Sequence, residues 1–350
     1  MIWADVYLMM KPPTQFTSIG GQAVIEGVMM RAPHFVAVAV RKPNQQIVIK
    51  SRPYSGISQK YPFLRKPLLR GVVTLVESMI QGMDALSYSA NMAVEEEGKN
   101  EELSSWAITG SLAMAFVFGM GLFVALPHFL TAVLTAKMGG GVTAQSPLFH
   151  LLDGALKMSI LLTYVYLIAK MKDIHRVFQY HGAEHKSIYA FEAGEELTVE
   201  NARKYTTLHP RCGTSFLLFL VVISILVFSA VFPLLGLTTL SSIPFVNHLM
   251  MVGLKIVLMF PVAGLSYELI KMSAAHMDHP FFKAVMWPGM LLQNLTTREP
   301  SDDQLEVALA SLRFVLLAEK GTSSIEQEVF VSALSEVGTI QAHVAEFPEI

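Results

Sequence analysis

Cysteine and charge are both scarce in this chain. One cysteine among 350 residues excludes an internal disulfide framework. It leaves Cys212 as a buried inert thiol, a ligand or a nucleophile. Charged residues make up 15% of the sequence, where a soluble domain carries roughly 25%. The formal net charge is -2, so no basic footprint for nucleic acid exists. No glycine-rich phosphate loop follows a strand, and there is no G-x-S-x-G nucleophile elbow and no nucleic-acid module. What fills the space left by charge is apolar: 52% of residues are hydrophobic and 20 are methionine. Gathered into long runs, these residues mark a membrane protein, with the lipid bilayer as its first partner.

Four runs reach the roughly 20 apolar residues that a bilayer crossing needs. They cover about 106–134, interrupted by Pro127-His128, then 148–169, 214–235 and 246–270, the last with a kink expected at Pro261. Lysine and arginine set the orientation. Eleven lie in residues 1–105, one (Lys137) between the first two runs, six in 171–212 and none between the third and fourth runs. Five follow residue 270. This distribution puts both termini and the segment 171–213 in the cytoplasm, where Cys212 stays a thiol or binds metal.

The fold class expected is therefore a mainly α-helical membrane protein with four transmembrane helices and a small cytoplasmic α+β portion. Residues 1–18 read as a poorly ordered N-terminus. The segment 1–10 is apolar but too short for a secretory signal and lacks a basic leader, and Met10 could equally be the start. Residues 19–104 read as a strand-rich unit plus a helix. Val36 to Val40 and Ile47 to Ile49 flank Pro43-Asn44 as a hairpin. Residues 67–94 follow as a helix, lying on the bilayer surface or covering the sheet. An acidic loop is expected over 95–102. The transmembrane region spans 105–270 and includes a cytoplasmic loop, 171–213. Residues 271–320 form a helical region that starts at a Ser301/Gln304 capping box and carries a Leu305, Leu309, Leu312, Leu316 stripe. The acidic stretch 321–350 is expected to be mobile or loosely docked.

The chemistry concentrates in the segment 171–213. His181 and His185 lie four apart, so a helix turns both toward one ion, and Glu184 flanks the same face. The spacing H-x-x-E-H pairs two ligands with a carboxylate able to deprotonate a metal-bound water. His209 and Cys212 flank a proline-bearing turn, a spacing that offers two more ligands. Together they suggest a divalent metal, most simply zinc, held by His181, His185, His209 and Cys212, with Glu184 as general base. Three plainer readings stand beside it. The histidines could be interfacial only, the four ligands could close a structural site with no open position, or Glu184 could pair with Lys186 or Arg203.

Other ionisable groups are weaker candidates. Asp153 and Lys157 lie one turn apart inside the second run and Lys255 lies inside the fourth. Such groups are costly in a bilayer and often functional, but pairing or snorkelling explains them more simply. His276, Asp278 and His279 could form a second cluster. Glu268, next to Tyr267, could approach the histidines, and Glu26 is a further carboxylate outside the segment.

At these residues the chain resembles the YqhQ-like bacterial membrane proteins, a family defined as a domain of unknown function and labelled as predicted metal-dependent enzymes. The matching stretches are Gly20 to Arg31 (GGQAVIEGVMMR), His181 to Lys186 (HGAEHK), His209 to Phe216 (HPRCGTSF), and Pro288 through Pro300 to Ala308. They cover most of residues 20–312; the end after about 320 lies outside. The resemblance implies a bacterial cytoplasmic (inner) membrane protein in which His181, Glu184, His185, His209 and Cys212 share one site. It does not include His276 and His279, and it names no substrate. The reading is a metal-dependent hydrolase acting on a peptide or membrane-associated substrate. A non-enzymatic scaffold or adaptor with structural zinc and an unknown protein partner is the first rival. A small transporter, which four spans would require to be a homo-oligomer, is the second.

Overall fold

The computed structural model describes residues 18–94, 105–137, 142, 146–234, 243–276, 279–322 and 327–337. Among the described residues, outside the long apolar helices, five antiparallel strands form one sheet: β1 (Gly20–Val24), β2 (Gly27–Arg31), β3 (Phe35–Arg41), β4 (Ile47–Pro53) and β5 (Gln327–Val331), in the order β1-β2-β3-β4-β5. The β3–β4 hairpin pairs Val40 with Val48 and Arg41 with Ile47. Its turn places Gln45 at φ 70°, and Asn44 Oδ1 accepts from the Gln46 backbone, as a polar turn residue should.

Both faces of the sheet are apolar, so both must be covered. Val28, Met30, Ala37, Ala39, Ile47 and Ile49 face one way; Val24, Met29, Val36, Val38, Val40 and Val48 face the other. The described residues form eleven α-helices: α1 (Ile57–Lys60), α2 (Leu69–Val94), α3 (Ser105–Met120), α4 (Leu126–Lys137), α5 (Pro147–Ile168), α6 (Lys172–Glu192), α7 (Val199–Arg203), α8 (Gly213–Leu234), α9 (Pro244–Ala275), α10 (Pro280–Thr296) and α11 (Asp302–Leu317). Helices α6 and α11 cover the first face through Tyr180, Ala183, Leu305, Leu309, Leu312 and Leu316. Helix α2 covers the second through Ala85, Tyr88 and Met92. Gly71 of α2 then lies against Gly264 and Tyr267 of α9, where an added Cβ would stand 2.7 Å from the Tyr267 Cβ. Of the two positions expected for this helix, the sheet cover is thus filled, and its first turns reach the apolar bundle.

Among the described residues, four helical stretches are long and apolar enough to cross a membrane: Ala113–Lys137, Pro147–Ile168, Gly213–Leu234 and Phe245–Ser273. They coincide with the four runs read from the sequence. A π-helical turn, Gly121–Ala125, joins α3 to α4. Helix α8 is the hub of the bundle, touching α5, α9 and α10.

Two expectations change. The segment 171–213 is not mainly a loop, because α6 occupies 21 residues of it and is buried from Gly182 to Glu192. Its two-sided apolar surroundings, sheet and α11, hold it as a core helix. Beyond residue 320, Gln327–Val331 pairs with β4 and covers its open edge, so this part of the acidic stretch is ordered by strand addition. The expectations for residues 1–17, for the acidic loop at 95–102 and for 338–350 lie outside the described residues.

Candidate metal centre

Helix α6 carries the first part of the site. Its Gly182 faces the Arg298 carbonyl so closely that an added Cβ would stand 2.1 Å from that oxygen. This contact presses the His181–His185 turn against the segment leaving α10, where the Arg298 N–H donates to the Phe178 carbonyl at 2.9 Å. The two imidazole centroids are 4.5 Å apart. His181 Nδ1 donates to the Thr296 carbonyl at 2.9 Å, and His185 Nδ1 donates to the Thr207 carbonyl. A carbonyl can only accept, so each Nδ1 holds the proton and each Nε2 keeps its lone pair for the site. Backbone carbonyls behind metal-bound histidines do this work of fixing tautomer and ring orientation.

Cys212 arrives from the other side. Its Sγ lies 3.2 Å from His181 Nε2 and 3.1 Å from Thr214 Oγ1. Gln293 of α10 holds the turn that carries it, accepting from the His209 N–H and donating to the His209 carbonyl, both at 2.8 Å. The ligand atoms of His181, His185 and Cys212 all lie within 4.8 Å of one another. Burial pushes the Cys212 thiol up, but its interactions with His185 and Thr214 outweigh burial, and the thiol sits below its ordinary range. Burial dominates at His185 and pulls that imidazole down, toward the neutral form that binds metals. Two imidazole nitrogens and a thiol inclined to ionise form a donor set suited to zinc.

Glu184 stands at the sheet side of this group. Burial raises its carboxyl to about 7, while His181 and the Gly21 N–H pull it down. Gly21 of β1 leaves the room: a Cβ there would lie 2.8 Å from Glu184 Cγ and 2.9 Å from the Met29 carbonyl. Glu184 makes none of the ion pairs open to it in the sequence. Lys186 takes Glu299 and the Arg203 carbonyl, and Arg203 takes Asp302.

His209 lies beside the group, its centroid 5.5 Å from that of His185, but its nitrogens are directed elsewhere. Nδ1 accepts from the Arg211 N–H at 3.3 Å, and Nε2 is 3.5 Å from Glu192 Oε2. Glu192 also binds the Arg211 guanidinium. Of the four ligands read from the sequence, the structure therefore gathers His181, His185 and Cys212 and turns His209 toward an acid–base pair behind them. Glu192 was legible in principle: it is seven residues beyond His185, on the same helix face. The carbonyls of Thr207 and Thr296 and the amide of Gln293 carry no such signal, since backbone groups and distant contacts leave no local pattern.

The remaining candidates lie apart. Glu268 pairs with Arg70 and accepts from the Leu68 N–H. Glu26 sits at φ 52° in the β1–β2 turn and pairs with Arg176. His276 bonds the Met272 carbonyl and His279 caps α10; Asp278 lies outside the described residues. Asp153, Lys157 and Lys255 meet inside the helix bundle.

The sequence matches, over residues 66–318, a family described as a protein of unknown function (DUF1385). It is 34% identical over 318 residues to the uncharacterized protein YqhQ of Bacillus subtilis (strain 168), an alignment spanning 86% of this chain and 92% of that protein. No solved structure matches it.

Proposed function

The chain belongs to the DUF1385 family, and from that premise and the geometry of its buried His/Cys group we propose a multi-pass protein of the bacterial cytoplasmic membrane with a metal-dependent hydrolase site on its cytoplasmic side. His181, His185 and Cys212 hold a divalent ion, most simply zinc. One observation carries the reading: two imidazole Nε2 atoms, each backed by a backbone carbonyl, converge with a thiol inside a 4.8 Å span. Three protein ligands are the number found at catalytic zinc sites, which keep a position for water or substrate, whereas structural sites use four. Bound there, the ion supplies Lewis acidity and lowers the pKa of its water toward about 7.

The chain's own contribution is Glu184, buried beside His181 with its carboxyl near neutral. A base works best when its pKa lies near the working pH. Glu184 would serve as the base that takes a proton from that water and hands it to the leaving group. Arg211 and Glu192 hold the His209 turn, and through it Cys212, in place. Peptide or membrane-associated substrates suit a site whose Cys212 directly precedes the apolar helix α8.

The scaffold reading keeps one argument of its own. His185 and Cys212 are 1% and 6% exposed, and a closed zinc staple is buried in this way. Elemental analysis of the detergent-purified full chain separates the readings, with wild type beside His185→Ala and Glu184→Gln. The enzyme reading expects about one metal per chain in wild type and in Glu184→Gln and none in His185→Ala. Loss of metal in Glu184→Gln removes the base assignment, and a metal-free wild type removes the site.

A further inference from the structure

The apolar bundle encloses a second set of ionisable side chains, built from three helices. Lys255 Nζ of α9 lies 2.8 Å from Asp153 Oδ2 of α5. Lys157 Nζ approaches the same oxygen at 3.6 Å. Lys255 also lies 3.1 Å from His128 Nδ1 of α4, and His128 Nε2 lies 3.1 Å from His248 Nδ1 of α9. His150 of α5 stands beside them, its ring 5.0 Å from that of Phe232. Helix α8 faces the cluster with Phe228 and Phe232 and contains no ionisable residue. Lys255 is fully buried, Asp153 is 1% exposed and Lys157 7%, so the lysines do not snorkel.

Depth and direction are both defined. Lys157 lies ten residues into α5 and Lys255 eleven into α9, roughly 15 Å from the helix starts at 1.5 Å per residue. That is about half of a 30 Å hydrocarbon layer. Toward the sheet domain the neighbours turn apolar: Leu161, Val165, Val221, Met158 and Ile225. Toward the other end the chain of polar atoms reaches His248, which is half-buried. The polar track is thus open at one end and closed at the other.

The charges do not balance. One carboxylate meets two ammonium groups, and an uncompensated cation in apolar surroundings is costly. Both ammonium groups address Oδ2, while Asp153 Oδ1 is buried with no hydrogen-bond partner. An ammonium has only donors, so His128 Nδ1 accepts from Lys255, its Nε2 carries the proton, and that N–H donates to His248 Nδ1. The tautomers are aligned as a wire.

We propose that this cluster is a proton-exchange site, loading and releasing one proton through His128 and His248 at the end of the bundle remote from the sheet. On release, an N–H bond breaks at Lys255 and one forms at His128 Nδ1. The His128 Nε2–H bond then breaks, one forms at His248 Nδ1, and His248 gives its Nε2 proton to water. Lys255 is left as a neutral amine and the cluster as one carboxylate with one ammonium. Uptake runs the same steps backward. The site is independent of the metal reading and needs only that the four apolar helices lie in a bilayer.

The test uses the full chain in phospholipid nanodiscs and infrared difference spectra between buffers at about pH 5 and about pH 9. Wild type should show a carboxylate band, perturbed as its neighbour gains or loses a proton, that Asp153→Asn removes. Lys255→Met, which leaves one ammonium for one carboxylate, should lack this band in the difference spectrum although Asp153 is still present. Identical difference spectra for wild type and Asp153→Asn overturn the proposal. Should a single variant fail to fold, Asp153→Asn/Lys255→Met removes a charge pair together and must lack the response; its persistence also overturns the proposal. After a pH jump, His128→Phe should reach the wild-type amplitude at least about tenfold more slowly. An unchanged rate removes the imidazole route.

Discussion

Cys212 Sγ lies 3.2 Å from His181 Nε2 although 31 residues separate them. The contact joins the turn entering α8 to the face of α6, and Gln293 of α10 braces the joint from beneath. If a metal sits there, the ligands are the three that converge and not the fourth that turns away. Cys212→Ala should lose the metal. His209→Gln should keep it at wild-type stoichiometry, while costing about 1–3 kcal/mol of stability by breaking up the buried Arg211–Glu192–His209 group. Metal analysis with thermal denaturation of both variants checks this. Metal loss in His209→Gln would return His209 to the ligand set.

Glu184 makes the stability of the metal-free protein depend on pH in a definite direction. Burial raises its carboxyl from 4.5 to about 7. Between those values the folded chain keeps a proton that the unfolded chain has lost, so stability falls as pH rises through the interval and is flat above it. The full drop is at most about 3 kcal/mol. Glu184→Gln carries no titrating group and should lack this component. Melting of chelator-treated wild type and variant, from about pH 4 to about pH 8, should show their difference shrinking in wild type's disfavour as pH rises. A difference independent of pH would mean that Glu184 is solvated.

Two glycines set the spacing around the site, and their replacement should separate shape from chemistry. Gly182→Ala drives a methyl group onto the Arg298 carbonyl, a backbone atom that cannot swing away. Gly21→Ala meets the Met29 carbonyl on its own sheet and the side chain of Glu184. Each should cost about 1–3 kcal/mol as overpacking. Gly182→Ala displaces the histidine turn itself and should also weaken metal retention. Gly21→Ala displaces Glu184 and should leave the metal in place. Thermal melting paired with metal analysis reads both effects.

The four apolar helices, the β3–β4 hairpin, α2 and the Ser301 capping box were all legible in the sequence, because each is written in local periodicity or in a short turn signal. The convergence of His181, His185 and Cys212 was half legible. Helical spacing joins the two histidines, but only the tertiary fold brings Cys212 and turns His209 toward Glu192. Strand β5 was not legible: Gln327–Val331 is short, and its partner β4 lies more than 270 residues earlier. Lys255 was read as a separate intramembrane charge, because the shared carboxylate of Asp153 stands on another helix.

The sheet supplies an argument about topology that is independent of charge counting. Residues 20–53 give four strands, α6 and α11 cover one face, and 327–331 give the last strand. Two apolar helices separate β4 from α6, and two more separate α6 from α11. Segments that pack into one core must lie on one side of a membrane, so each pair of helices must form a hairpin. The lysine and arginine excess on these segments makes the cytoplasm the expected side. Cys212 is buried, so introduced cysteines report cleanly to an impermeant maleimide. Asn44→Cys and Gly194→Cys, both at exposed sites, should be protected in intact cells and react after lysis. Lys137→Cys, exposed at the far end of α4, should react from outside. Labelling of both Asn44→Cys and Gly194→Cys in intact cells would reverse the orientation and keep the fold. Opposite behaviour of these two would place strands and α6 on different sides, which no packing of this sheet allows.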